Sequence, residues 1–158
     1  MTADTRRRRL LQWLTVTTGL GLVSPRAQPL TKDHELFGEP KHKVVYQFNK
    51  ADPDYMEHVL FSVGALLRKY GDDIHLVVTA IGPGIHILGK RPQRPVPELI
   101  RQRVASLAAY GVSFHACGNT MKSVHWSKAD LLDFAEIVDI GADDLMTLQE
   151  QGYSYISW

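Results

Sequence analysis

"IHLVVTAI", Ile74 to Ile81, is a near-continuous apolar run of strand length, closed by "GPG" at Gly82 to Gly84. Strands that read this way are buried on both faces, as in parallel sheets. Upstream, Met56, Val59, Leu60, Val63, Leu67 and Tyr70 recur at helical spacing between Pro53, suited to a first turn, and Gly71, suited to a C-terminal cap. Before them "KVVYQF" (Lys43 to Phe48) is β-branched and aromatic and predicts a strand. Downstream, a loop with Pro92, Pro95 and Pro97 leads to a second helical stripe, Leu99, Ile100, Val104, Leu107 and Ala108, ended by Gly111. "VSFHAC" (Val112 to Cys117) and "AEIVDI" (Ala135 to Ile140) predict two more strands. Ala142, Leu145, Met146 and Gln149 mark a third helix ended by Gly152, and "YSYI" (Tyr153 to Ile156) predicts a short last strand.

Alternating strand and helix predicts an α/β fold, a parallel sheet with helices on both faces. Right-handed crossovers then bring all strand C-termini to one edge. That edge gathers Asn49, the Gly82-Pro83-Gly84 turn, Cys117 with Gly118 and Asn119, and Gly141. Open α/β sheets bind ligands along such an edge, at the switch in strand order.

The chain has 158 residues, enough for one domain with a core. Its 18 basic and 17 acidic residues are unevenly spread. Residues 1–27 hold Arg6, Arg7, Arg8, Arg9 and Arg26 against Asp4, which leaves 13 basic and 16 acidic residues in the remainder. A body at −3 gives no evident reason to bind nucleic acid, which rewards a basic patch. The first segment reads as an address. A basic start, an apolar run from Leu10 to Val23 and then Ala27 match the order of a secretory signal peptide. Arg7-Arg8 before Arg9-Leu10-Leu11-Gln12 resembles the twin-arginine export pattern, which predicts a periplasmic protein. The run is shorter than the ~20 residues of a spanning helix, so no stable membrane span is expected. Residues 28–41, polar with two prolines, read as a linker or arm, and residues 42–158 as the domain.

Cys117 is the single cysteine, so no intramolecular disulfide forms, and in an oxidising compartment the thiol is buried, reactive or paired between chains. If it closes the third strand, its backbone meets an open loop, Gly118 to Ser123, whose N–H groups would favour a thiolate. Gly118 allows close approach of a ligand or second sulfur. His115 lies on the same side of the strand, two residues away. His125, in the same loop region beyond Ser123, is a further candidate to reach the thiol. The competing reading is a packing cysteine, since free cysteines are among the most buried residues.

"HACGNTMKS", "IGPGI" and "IGADDLMTLQEQGYSYI" together resemble the DsrE/DsrF-like sulfur-oxidation family, in its small exported or stand-alone branch. The likeness covers residues 43–157. It implies a three-layer α/β sandwich with a five-stranded sheet, and self-assembly as trimers or hexamers. It also implies a persulfide on Cys117, the position at the end of the third strand. Sulfur transfer of this kind needs no metal or nucleotide cofactor. Without a second cysteine, the donor or acceptor is another protein or a small thiol.

Other patterns are weaker. His115, Cys117 and His125 suit copper or zinc in ligand type but match no standard spacing. Gly82 and Gly84 are candidates for substrate binding; a phosphate site would need a helix directly behind them, and the segment after them is interrupted by prolines. A turn that lets two chains approach closely explains them better. "GKRPQRP" (Gly89 to Pro95) holds Lys90, Arg91 and Arg94, which would attract an anionic sulfur species or an acidic partner, or form a solvated basic loop. Trp126 is placed either over the Cys117 site, or as a cap on the sheet edge or a subunit contact. Phe61, Tyr153, Tyr155 and Trp158 add apolar area for subunit contacts.

Overall fold

The computed structural model describes residues 38–158. The segment read as an export signal, and residues 28–37 of the expected linker or arm, lie outside the described residues. The core elements match the sequence pattern closely: β1 (His42–Phe48), α1 (Pro53–Tyr70), β2 (Ile74–Ala80), α2 (Glu98–Ala109), β3 (Ser113–Cys117), α3 (Gly118–Ser123), β4 (Ala135–Val138), α4 (Gly141–Glu150) and β5 (Ser154–Ile156). Short 3-10 turns fill Gly71–Asp73, Gly82–Leu88 and Lys128–Asp130.

The sheet has five strands in the order β4-β3-β2-β1-β5, and every pairing is parallel. Val44, Tyr46 and Phe48 of β1, Leu76, Val78 and Ala80 of β2, and Phe114 and Ala116 of β3 project to one face. There they meet Met56, Val59, Leu60 and Val63 of α1 and Ile100, Val104 and Leu107 of α2. Full burial of side chains of this size contributes about 1.5–3 kcal/mol each, so this face supplies most of the folding drive. Among the described residues, α4 is the helix that covers the opposite face. Its apolar cluster is small: Val45, Val77, Leu145 and Leu148.

Local signals explain the element ends. Asp52 caps α1 by accepting from Tyr55 N–H at 2.9 Å, Pro53 occupies the first turn, and Gly71 ends the helix at φ +55°. Gly84 lets the turn after β2 lie on the end of β1: a Cβ there would sit 2.1 Å from the Phe48 carbonyl oxygen. The close approach expected of this turn is therefore made to the neighbouring strand of the same chain.

Two expectations are corrected. Gly118–Ser123 is a short helix rather than an open loop. The strand order reverses between β1 and β5, whereas Cys117 ends β3, flanked by β2 and β4. The thiol thus lies on the predicted C-terminal edge but away from the switch point.

Candidate functional site

Cys117 is the last residue of β3 and the residue before α3. Side chains alternate along a strand, so its sulfur points to the α4 face with His115. There it meets the start of α4. Gly141 N–H donates to Cys117 Sγ at 3.2 Å. Only glycine fits at 141, because a Cβ would lie 2.1 Å from Ile81 Cγ2 and 3.3 Å from the sulfur. The Thr120 side chain and the N–H groups of Thr120 and Asn119 also favour the thiolate. These come from the first turn of α3, which closes no full side-chain cap with Cys117, and Asn119 N–H also bonds the Asp139 carbonyl at 3.2 Å. The well-formed bond from Gly141 is therefore the anchor, and the Thr120 and Asn119 groups add to it.

Cys117 is 5 % exposed. Burial pushes its thiol up, but the hydrogen-bonding groups of Thr120, Gly141 and Asn119 together outweigh it and hold the thiol below its ordinary value. Thr120 is itself oriented: its Oγ1 accepts from Gly82 N–H at 3.0 Å, leaving its hydroxyl proton to be directed at sulfur. Gly82, at φ +52°, thereby supports the site through its backbone.

His115 is engaged elsewhere. Its Nδ1 lies 3.0 Å from both carboxylate oxygens of Asp144, and its Nε2 lies 3.9 Å from Glu136. Thr79 Oγ1 donates to the same Asp144 carboxylate at 2.7 Å. Burial raises the Asp144 carboxyl, but hydrogen bonds from His115 and Thr79 and the nearby imidazole bring it below the usual carboxylate range. This Thr79-Asp144-His115 group lies on the α4 face beside the thiol, and the sequence pattern pointed to neither Asp144 nor Thr79. The carboxylate comes from a helix 29 residues beyond His115, so no local spacing announces it. Thr120 was missed because the short helix that places it, α3, reads in the sequence as an open loop.

The structure separates the remaining candidates. His125 is exposed, in a turn at φ 57°, and makes no hydrogen bond to Cys117. Trp126 turns inward instead, against Gly89 and edge-on to His86 with ring centroids 5.2 Å apart, so it does not cover the thiol. Gly118 packs on the end of β4, where a Cβ would meet the Val138 and Asp139 carbonyl oxygens at 3.1 Å. Among the described residues, no group of three or more His, Cys, Asp or Glu is disposed to hold a metal ion. No helix among them is long and apolar enough to cross a membrane.

Residues 42–158 match the DsrE/DsrF-like family. The chain belongs to that family. The fold recurs in solved structures of low sequence identity. A protein of unknown function, MTH1491 from Methanobacterium thermoautotrophicum, is 23 % identical with a TM-score of 0.66, the match covering 74 % of this chain and 99 % of that one. The ychN protein from E. coli is 18 % identical with a TM-score of 0.57, covering 75 % and 99 %. BT1422 from Bacteroides thetaiotaomicron, a conserved protein of unknown function, is 10 % identical with a TM-score of 0.51, covering 73 % and 94 %. No curated protein matches the chain. At these identities the structural neighbours speak to the fold alone, an α/β arrangement like the five-stranded parallel sheet and helices of this chain.

Proposed function

We propose that this DsrE-family protein is a sulfur carrier that holds sulfane sulfur as a persulfide on Cys117. One observation carries the reading: the lone thiol sits at the C-terminal edge against Gly141 N–H, with Thr120 and Asn119 holding it below its ordinary pKa. A thiolate is the nucleophile such chemistry needs. It attacks the outer sulfur of a donor persulfide, R–S–SH. The donor S–S bond breaks, a new S–S bond forms to Cys117, and RS⁻ leaves with the electron pair. The reaction is an exchange, so no external oxidant or reductant enters. Passing the sulfur to an acceptor thiolate is the reverse step.

In this reading the basic and apolar leader exports the chain by the twin-arginine route, the carrier works in the periplasm, and the body self-associates as a trimer or hexamer. Exposed Phe61, Tyr155 and Trp158 are part of the apolar surface available for that association, whereas Tyr153 packs against the Val45, Val77, Leu145 and Leu148 cluster. Mass spectrometry after incubation with polysulfide tests the carrier: sulfur mass is added to the wild type and not to Cys117→Ser. Equal labelling of both ends the proposal.

The 5 % exposure of Cys117 favours a second reading, in which the thiol is packing and the protein is a noncatalytic assembly or ligand-binding module. Alkylation separates the two: a packing thiol reacts only in denaturant.

A further inference from the structure

A cavity of about 350 Å³ shares Thr120 and Asn119 with the surroundings of the thiol; it is lined chiefly by Gly82, Pro83, His86, Arg94, Asn119 and Thr120, with Ser123 and Val124 at its side. His86 is its one buried member, 3 % exposed, and forms the floor. Among the described residues, His86 Nδ1 has no hydrogen-bond partner, an expensive state for a buried ring nitrogen. Arg94 is the one residue of the lining that is charged whatever the protonation state of His86, and none of the lining residues is acidic. Arg94 is exposed and in no ion pair among the described residues, whereas Lys90 of the same loop is paired with Asp133 at 2.7 Å. The loop is held over the cavity: Gln93 Nε2 donates to the Val124 carbonyl at 2.9 Å, and Arg101 donates to the Gly89 and Lys90 carbonyls at 3.3 Å. Burial, and secondarily the Arg94 charge, hold the His86 imidazole below its usual value, so at neutral pH it offers a donor and an acceptor rather than a second cation.

We infer that this cavity binds a small organic anion, a carboxylate-bearing thiol or its persulfide, with its carboxylate on Arg94, its polar body on His86 and Asn119, and its sulfur toward Thr120. Charge selects the anion, because guanidinium pairs well with carboxylate and nothing in the lining repels it. Size selects an organic one. The volume corresponds to roughly a dozen waters at ~30 Å³ each, more than an inorganic sulfur anion fills, and lies at the small end of the range for organic ligands. Thr120 joins the two sites, since it lines the cavity and supports the Cys117 thiolate. The sulfur end of the inference rests on the carrier reading; the anion site does not.

The test uses the Cys117→Ser protein, so that binding is measured without sulfur chemistry. Titration calorimetry with glutathione and with S-methylglutathione should show binding of both, weakened tenfold or more by Arg94→Gln and also weakened by His86→Phe. Arg94 is exposed, so its variant leaves the fold intact even if the His86 variant does not. Neutral 2-mercaptoethanol should not bind. Unchanged affinity in Arg94→Gln, or no binding of either tripeptide, overturns the inference. Binding of thiosulfate without the tripeptides overturns the ligand class. Both failures leave the polysulfide labelling of Cys117 to stand or fall separately.

Discussion

The N–H of Gly141 donates to the sulfur of Cys117 at 3.2 Å, linking the first residue of α4 to the last residue of β3. Each end is fixed by its own element, so the thiol is held by two helix starts without needing a charged partner. Helix N-termini favour anions, by roughly 0.3–1 kcal/mol at exposed sites and more when partly buried.

Gly141→Ala should therefore damage both stability and thiol chemistry. The added methyl meets Ile81 Cγ2 at 2.1 Å and the sulfur at 3.3 Å. Overpacking of this order costs about 1–3 kcal/mol. Urea unfolding should show that loss, and the midpoint of Cys117 alkylation should move to higher pH. Adding Ile81→Ala should recover part of the stability.

Thr120→Val removes the hydroxyl that favours the thiolate and strands Gly82 N–H, which now donates to it at 3.0 Å. The expected stability loss is about 1–3 kcal/mol. Alkylation of Cys117 should need a higher pH than in the wild type, and Thr120→Ser should restore the wild-type profile.

Asp144→Asn tests the cluster on the α4 face. The native carboxyl sits below its unfolded value of ~3.9. Its contribution is then fully present above that value and is lost as pH falls through the lower native one. Urea unfolding should find the wild type more stable than Asp144→Asn at pH 6, by about 1.5–3 kcal/mol if the charged hydrogen bonds are typical. The gap should close as pH falls below ~3.9. A gap independent of pH would show that the carboxylate is not the source.

The sheet was legible because its strands are apolar runs: Ile74–Ala80 is buried at every position but His75. The helices were legible from stripes such as Met56, Val59, Leu60 and Val63. Helix α3 was not, because Gly118 and Asn119 signal a turn and six residues carry no periodicity. His125 was misplaced for a related reason: the chain turns there at φ 57° so that Trp126 packs inward, and the imidazole is left exposed. The Thr79-Asp144 bond spans 65 residues and depends on the crossover that carries α4 back over the sheet. Such contacts are products of topology, which local pattern does not encode.

The most direct test is the rate of Cys117 alkylation by iodoacetamide in the native wild type, measured against pH. A thiol supported by Thr120, Gly141 and Asn119 should react without denaturant, with a midpoint below that of a free cysteine measured under the same conditions. Reaction only after unfolding, or a midpoint above that of free cysteine, would contradict the account.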